Sequence, residues 1–345
     1  MNNNERISWV DHSKALGIVM VVLGHTAGLP VLAVNLIYSF HMPLFFFLSG
    51  YLLKESHLQM NLVGFLKRLG RKLLLPYLCF WIISYLYWLT TRSLVLNPAK
   101  FANVTFLDLL GGLLHGTGDL QHTLYIVNVD LWFFTCLFST ALLFYVVQRI
   151  KSAPIRLVVI FLMGVVFPFI PELLGQRLPW NIELAGAAVV FYGLGYLLKN
   201  KTYPSKAVLG LGMLVALPVW LITTLKNTPV DMNAMQFGAL WWFYIGAAAG
   251  IYLVIASSHF LGTSGLTRWL ALNTMIIFPI HQLLFSVFTG VGVRLFGLSS
   301  DFKTSLLASL VFTALAILCS IPIAYVLRRY TPFIIGERQP STLLE

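Results

Sequence analysis

The chain has 345 residues and a net charge of +11, with 58% hydrophobic residues and only 10% charged residues. Because about a quarter of the residues in a soluble domain are charged, this composition excludes an ordinary soluble protein and requires lipid around the apolar segments. The basic residues lie between apolar runs and form no single patch, which argues against a nucleic-acid partner.

Ten apolar segments follow one another, each close to the roughly 20 residues that a helix needs to cross a bilayer. They are residues 14–31, 36–53, 73–91, 124–147, 157–174, 181–198, 207–225, 237–257, 269–290 and 304–327. A tight corner, GLPVLAV, joins the first two. The sequence therefore predicts an all-α polytopic membrane protein, with a single membrane domain over residues 1–345 and no separate soluble domain.

The distribution of Lys and Arg predicts the orientation, because cytoplasmic connections carry most of the basic residues of a membrane protein. With ten helices, one side of the membrane holds only Arg92, Lys100, Arg177, Lys226, Arg294 and Lys303. The other side, which includes both termini, is predicted to be cytoplasmic. No small-residue cleavage site follows the first apolar run, so we expect an uncleaved first helix.

The first two segments each carry a histidine within an apolar run. In KALGIVMVVLGHT, His25 follows Lys14 by about 16 Å of helix, near the middle of the bilayer. His41, in SFHMPLFFFLSG, is expected about 8 Å below the outer face, and His281, in the ninth segment, about 18 Å from the inner face. Ionisable groups in lipid usually face a cavity or partner, so we interpret His25 and His41, with Lys14, as functional. For His281, a hydrogen bond between helices is an equally good interpretation.

Several neighbours of these residues have two interpretations. Asp11 precedes Lys14 by three residues and either pairs with it or caps the helix. Ser49 and Gly50 permit a close approach, which ordinary helix packing explains better than a substrate does. Pro43 is expected in the first turns of its helix, where proline is tolerated or produces a kink that aims His41 into a cavity.

A cluster of four cations precedes the third segment, in KRLGRKLLLPY. Lys67, Arg68, Arg71 and Lys72 lie within six residues of one another. The positive-inside rule alone accounts for such a cluster, but its density equally suits an anionic ligand. Both interpretations stay open from the residues alone.

The fourth segment is preceded by LLGGLLHGTGDLQHTLYIVNVDLWFF. Asp130 and Trp132 suit sugar recognition, although Asp130 also starts a buried segment and tryptophan is common at membrane interfaces. His115, Asp119 and His122 are interpreted first as a solvated loop and second as an acceptor site. Glu172 and Glu183 flank the next outer turn and are interpreted first as simply exposed and second as lining the mouth of the same acceptor site.

No metal site or disulfide is predicted. The chain has three cysteines, Cys79, Cys136 and Cys319, which lie in apolar segments without CxxC spacing. The histidines likewise show no diagnostic ligand spacing.

These motifs together resemble a known family. The spacing Lys14-x10-His25 after Asp11, then FFFLSGYLL at 45–53 and KRLGRKLLLPY at 67–77, resembles the membrane-bound acyltransferase-3 family. With DLWFF at 130–134 and NTMIIFPIH at 273–281, the chain is most similar to the fucose O-acetylase-like, polysaccharide O-acetyltransferase branch. The resemblance is strong over the first four helices and weak at the ninth. Most of the family has arginine at the position of Lys14, and an ammonium group cannot make a bidentate phosphate clamp.

The resemblance implies O-acetylation of an extracytoplasmic or lipid-linked glycan by cytoplasmic acetyl-CoA, in the bacterial inner membrane and as part of exopolysaccharide biosynthesis. Acetyl-CoA would be a co-substrate, with no tightly bound cofactor, and polysaccharide assembly proteins would be further partners. His25 is the expected base or acetyl carrier, and His41 either orients it or contacts the acceptor. Lys14 and the cation cluster would bind the anionic end of the donor.

A transport function is the alternative from a different class. In a transporter or flippase for a glycan or small anion, the same intramembrane histidines and Lys14 would couple protons. Inverted repeats are typical of many transporters, and SFHMPLFFFLSG has no counterpart in the second half of the chain. The sequence therefore favours the enzyme.

Overall fold

A computed structural model of the chain describes residues 7–92, 104–117, 127–227, 229–262 and 264–337. Within these ranges the protein is helical and has no β-strand, only an isolated backbone bridge between Asp231 and Gln236. Nine helical segments in the described residues are long and apolar enough to cross a membrane. The prediction of an all-α, multi-pass membrane protein is confirmed. The side on which the termini lie stays a prediction.

Fifteen α-helices are numbered here in chain order. The first eight are α1 Ser8–Gly24, α2 Val31–Tyr38, α3 His41–Tyr51, α4 Glu55–Leu58, α5 Leu62–Leu69, α6 Leu75–Thr91, α7 Phe106–His115 and α8 Trp132–Val147. The remaining seven are α9 Ala153–Val166, α10 Ile170–Leu174, α11 Ile182–Leu198, α12 Lys206–Lys226, α13 Leu240–Phe260, α14 Gly265–Leu295 and α15 Leu306–Tyr330.

The first predicted segment, 14–31, is displaced in the structure. Helix α1 begins six residues earlier, at Ser8, and ends at Gly24. The following turn lies against the start of α15, because the backbone N–H of Gly28 donates to Ser309 Oγ at 3.1 Å. A Cβ at Gly28 would lie 2.2 Å from the Ser305 carbonyl oxygen, so only glycine fits this contact. Pro30 then precedes α2.

The second predicted segment, 36–53, is two helices rather than one. Helix α2 ends at Tyr38 and α3 begins at His41, because Phe40 has a non-helical backbone, with φ −146° and ψ −15°. Pro43 is the third residue of α3, where the N–H that proline lacks would have no partner within the helix. Pro43 is therefore tolerated, as one of the two interpretations expected.

The third segment is longer than the predicted 73–91. Helices α5 and α6 join through a π-helical turn, Gly70–Leu74, and the continuous segment runs from Leu62 to Thr91. The four cations Lys67, Arg68, Arg71 and Lys72, which we name the basic cluster, therefore lie inside the helical segment instead of before it. The other predicted segments agree with the helices to within a few residues at most ends.

The described residues form two compact units. The first consists of residues up to 52 with residues 194–232 and 236–320, and the second of residues 53–193, 233–235 and 321 onward. The prediction of a single domain stays a prediction.

In the first unit, small residues bring helices into direct contact. A Cβ at Gly17 of α1 would lie 3.0 Å from the Phe45 ring of α3, and one at Gly195 of α11 would lie 2.0 Å from the Phe47 carbonyl oxygen. Such close approach is typical of membrane helices, which gain stability from packing rather than from exclusion of water. Ile18, Val21, Leu44, Ile276 and Ile277 fill the interior.

The second unit is packed around aromatic side chains. Phe65 of α5 stacks on Tyr145 of α8 with ring centres 4.3 Å apart, and the Tyr145 hydroxyl donates to the Met60 carbonyl at 2.7 Å. Phe80 of α6 and Phe134 of α8 are fully buried in the same unit.

Candidate functional site

Three predicted histidines meet in the first unit. His25 is the C-cap residue directly after α1, His41 is the first residue of α3, and His281 lies inside α14. The ring centre of His25 is 5.0 Å from that of His281 and 6.4 Å from that of His41, with both pairs close to edge-on. His25 and His281 each offer a ring nitrogen within 4.8 Å of the other. We name these three residues the histidine cluster.

The cluster lies away from the surface. His41 and His281 are buried, and His25 is half-buried. The breaks that end α1 and start α3 place two of the rings at helix termini, where side chains can converge from different directions. A continuous second helix over 36–53 would not provide the terminus at His41.

Each ring of the histidine cluster donates Nδ1–H to a backbone carbonyl of a preceding residue. The acceptors are the carbonyl oxygens of Val21, Ile37 and Phe278, at 2.7, 2.8 and 2.6 Å from the Nδ1 atoms of His25, His41 and His281. A carbonyl oxygen can only accept, so Nδ1 carries the proton in all three rings. In the neutral ring, Nε2 is then the nitrogen that can take a proton. The arrangement is that of an oriented general base.

A tyrosine that the sequence did not single out lies against two of these rings. Tyr38, the last residue of α2, has its ring centre 4.9 Å from that of His41 and 5.7 Å from that of His25. Tyr38 and His41 are three residues apart, which in a continuous helix would place them on the same face. Because the helix is interrupted at Phe40, helical periodicity alone could not predict this contact.

The residues before Lys14 form a polar contact with the end of α13. His12 Nε2 donates to the Gly262 carbonyl at 2.9 Å, and the Ser13 and Ser258 hydroxyls are 3.0 Å apart. Both serines and His12 are buried. These contacts hold the first turns of α1, and therefore the backbone of Lys14, against α13. His12 and Ser258 were not predicted from the sequence.

The predicted roles of Asp11 and Lys14 change with the start of α1. Ile7 precedes the helix and caps it without a side-chain hydrogen bond, so the interpretation of Asp11 as the N-cap residue is wrong. Asp11 is buried in the first turn, where the helix dipole stabilises a negatively charged carboxylate. Lys14 is half-buried in the second turn rather than at the start. Its pairing with Asp11 stays a prediction.

Ser49 and Gly50 take part in helix packing. The Ser49 hydroxyl donates to the Phe45 carbonyl of its own helix at 2.7 Å. Gly195 approaches α3 between Phe47 and Tyr51, and a Cβ there would be 2.9 Å from the Tyr51 backbone nitrogen. Helix packing, the interpretation that the sequence favoured for Ser49 and Gly50, therefore has a structural counterpart in the contact of α3 with α11.

The basic cluster of the second unit surrounds a turn. Lys67 and Arg68 lie in the last turn of α5, and Arg71 and Lys72 lie in the π-helical turn. Lys67 and Lys72 are exposed, and the two arginines are half-buried. Single π-helical turns are frequent at functional sites. The two guanidinium groups are suited to bind phosphate oxygens in pairs.

The C-terminal segment approaches this cluster. Arg71 Nη2 donates to the Glu337 carbonyl at 3.3 Å, and the Glu337 carboxylate accepts from Arg328 Nη1 at 2.6 Å. Gly336 has φ +71°, and a Cβ there would lie 2.7 Å from the Arg71 carbonyl oxygen. No pattern in the amino-acid sequence predicts this contact, because Glu337 is 266 residues from Arg71.

Asp130 and Trp132 lie at the start of α8 in the second unit. Both are buried, Asp130 in a 3-10 turn whose backbone N–H donates to Asn128 Oδ1 at 3.2 Å. Asn128 in turn donates to Ser84 Oγ at 3.1 Å. The buried start of a membrane segment, one of the two interpretations of Asp130, is therefore observed. Asp119 and His122 lie outside the described residues, and His115 Nδ1 is 2.9 Å from Thr117 Oγ1.

Glu183 was expected to be exposed, but it is fully buried. Its carboxylate accepts from Arg177 Nε, and Arg177 also donates from Nη2 to Asn181 Oδ1 and from Nη1 to the Asn233 carbonyl, both at 2.9 Å. Asn181 donates to the Gly116 carbonyl at 2.9 Å. A buried charge requires such a partner, and the expected exposure was wrong because Arg177, six residues earlier, pairs with the carboxylate. Glu172 is exposed as expected.

Comparison with known proteins identifies the family. No curated protein and no solved structure matches the chain. A family model described as an acyltransferase domain matches residues 7–329, which include every predicted site residue. The chain therefore belongs to the membrane acyltransferase-3 family.

Proposed function

We propose that the protein transfers an acetyl group from cytoplasmic acetyl-CoA to a sugar hydroxyl of an extracytoplasmic or lipid-linked glycan. The bacterial inner membrane is the proposed location, and exopolysaccharide, capsule or O-antigen the proposed class of acceptor. The family supports acyl transfer. The orientation of the histidine cluster is the single observation that supports a hydroxyl acceptor, since a hydroxyl must lose its proton as it attacks.

In the proposed reaction His25 Nε2 takes the proton of the sugar hydroxyl. The hydroxyl oxygen forms a bond to the thioester carbonyl carbon, and the carbon–sulfur bond then breaks. The coenzyme A thiolate leaves and recovers the proton from His25. A second route, in which Nε2 first accepts the acetyl group and then passes it to the sugar, balances equally well.

The other two histidines have supporting roles in this proposal. His281, with its ring centre 5.0 Å from that of His25, is placed to hydrogen-bond the acceptor or the developing oxyanion. His41 orients the His25 ring together with Tyr38. Lys14 and the basic cluster Lys67, Arg68, Arg71 and Lys72 are proposed to bind the donor phosphates. Asp130 and Trp132 remain candidates for the acceptor side.

The test replaces His25 by asparagine. The asparagine amide can still donate to the Val21 carbonyl, as Nδ1 does, but no base remains at the position of Nε2. A positioned general base contributes about 100-fold to 10,000-fold to a rate, so we expect His25→Asn to lose at least about 100-fold in transfer of labelled acetyl to glycan. The measurement uses membranes containing equal amounts of folded protein.

Either of two results would contradict the proposal. Normal acetylation by His25→Asn would remove His25 from the mechanism. If wild-type protein hydrolysed or transferred no acetyl group but moved glycan across proteoliposome membranes in a proton-dependent way, the transporter alternative would replace the enzyme.

A further inference from the structure

A cavity in the first unit is lined by none of the three residues of the histidine cluster. It has a volume of about 540 Å³ and lies between α1, α12 and α13. Its walls are apolar side chains such as Leu16, Met213, Leu217 and Leu253, with Ser257 as the one hydroxyl-bearing residue. The indole N–H of Trp220, at one end, donates to Ser39 Oγ at 2.9 Å. Such a lining suits a hydrocarbon chain and does not suit water or a sugar.

The inner wall of the cavity is closed by a glycine contact. Phe40 is buried and packs directly on α13, where a Cβ at Gly250 would lie 2.5 Å from the Phe40 ring. On the opposite side, Leu214 and Leu217 of α12 line the cavity and are also exposed on the protein surface. The cavity is thus closed towards the protein and open towards the region that lipid occupies.

The cavity extends along the middle part of α12. Lys206 begins the helix, Met213 is about 10 Å further along it and Trp220 about 21 Å. On α12 the lining therefore lies on both sides of the middle of a hydrocarbon layer about 30 Å thick, and Leu261, after the end of α13, extends the cavity towards the end that begins with Lys206. One chain of a phospholipid spans this distance.

A cation lies at the rim of the cavity. Lys206 Nζ is 5.8 Å from the ring centre of Phe260, whose neighbour Leu261 lines the cavity. Lys206 is exposed, and Lys201 near it in sequence is exposed as well. No Asp or Glu occurs between Glu183 and Asp231, or between Asp231 and Asp301, so α12 and α13 carry no carboxylate to neutralise these lysines. The rim is complementary to a phosphate group.

We propose that this cavity binds an anionic phospholipid, with one hydrocarbon chain against Leu217 and Phe40 and the phosphate at Lys206. The apolar walls would select a chain, and the lysine would select a negatively charged headgroup over a zwitterionic one. A single lysine near a charged headgroup contributes about 1 kcal/mol, which is a preference of about fivefold. The proposal is independent of the acetyl-transfer reaction.

The test is native mass spectrometry of the full-length protein with equal amounts of dioleoyl phosphatidylglycerol and dioleoyl phosphatidylcholine. We expect one tightly retained phosphatidylglycerol. Leu217→Trp should fill the cavity and remove this lipid, whereas Leu211→Trp, an exposed position on the same helix outside the cavity, should retain it. Equal retention of both lipids by the wild-type protein, or retention by Leu217→Trp, would overturn the proposal.

A charge variant tests the headgroup separately, also in case Leu217→Trp does not fold. Lys206→Gln should lose the roughly fivefold preference for phosphatidylglycerol while still retaining a lipid chain. Lys226→Gln, at the other end of α12, should keep the preference. An unchanged preference in Lys206→Gln, or an equal loss in both variants, would show that the headgroup is not recognised at this rim.

Discussion

At the scale of single residues, the function proposed here depends on how the imidazole rings are held. Each ring is fixed on one side by a carbonyl of its own chain within four residues. Hydrogen bonds are not the only contacts that position the rings of His25 and His41, because the Tyr38 ring lies against both. Aromatic contacts of this geometry add to ring positioning beyond the area that they bury.

We therefore predict that Tyr38→Ala lowers acetyl transfer by roughly 10-fold to 100-fold, because small displacements of reacting groups carry costs of that order. Tyr38→Phe keeps the ring and should keep most of the activity. The measurement is turnover of labelled acetyl in membranes, with thermal stability in detergent recorded for both variants. An equal loss in Tyr38→Phe would show that the hydroxyl group acts and that ring packing is not the reason.

The sequence was informative about residue types and depth but not about these contacts. Lys14, His25, His41 and His281 could be singled out because ionisable groups are costly in lipid. Tyr38 and His12 could not, since an aromatic or polar residue near a helix end has many ordinary explanations. Glu183 was assigned to the surface because its partner Arg177 could be recognised only in the folded chain.

At the scale of helices, glycines determine how closely the elements of the first unit pack. Gly17, Gly195 and Gly250 each lie where a Cβ would meet another helix or its adjoining segment at 3.0 Å or less. Packing of this kind supplies much of the stability of a membrane bundle. A methyl group added at Gly195, the closest of these contacts, should therefore disturb the packing of the whole helix α11 against α3.

We predict that Gly195→Ala destabilises the protein by about 1–3 kcal/mol, since the added Cβ meets the backbone of α3 and cannot be accommodated by a side-chain rotation. The matched control is Gly290→Ala in α14, where no atom lies within 4 Å of the new Cβ. That control should be neutral or slightly stabilising, because alanine is the better helix former. Heat-induced loss of the monodisperse peak in size-exclusion chromatography measures both, and equal stability of the two variants contradicts the prediction.

Helix existence was predictable from the sequence and helix ends were not. The ten apolar segments follow from length and composition; nine of them correspond to helical segments of the described residues that are long and apolar enough to cross a membrane, and the first corresponds to α1, which has 17 residues. The break at Phe40 lies in a run of apolar residues whose one breaker, Pro43, is compatible with either a continuous or an interrupted helix. The early start of α1 depends on contacts with Gly262 and Ser258, more than 240 residues away.

At the scale of the whole molecule, the proposed reaction requires a donor from one side of the membrane and an acceptor from the other. The orientation derived from Lys and Arg determines which is which. Lys201 lies between α11 and α12 on the predicted cytoplasmic side, and Lys303 lies in the turn between α14 and α15 on the predicted outer side. Both are exposed or half-buried and lie outside the helices that cross the membrane.

We predict that a cysteine in place of Lys303 reacts with a membrane-impermeant maleimide in intact spheroplasts, whereas Lys201→Cys reacts only after lysis. The background is a variant without Cys79, Cys136 and Cys319, each of which lies inside an apolar helix. The reverse labelling pattern would invert the topology. In that case the donor would have to approach from the opposite face.

The hydrogen bonds from the imidazole rings have a consequence for how such a protein can evolve. Val21 and Ile37 belong to the last turns of α1 and α2, where their carbonyl oxygens accept long backbone hydrogen bonds of 3.3 Å from the N–H groups of His25 and Phe40. The imidazole Nδ1–H groups reach the same two oxygens at 2.7 and 2.8 Å, so His25 and His41 supply the shorter of the two hydrogen bonds at each of these helix ends. A descendant that abandoned its chemistry would still gain a second hydrogen bond at each helix end from a donor side chain at both positions, so polar residues there would outlast the activity.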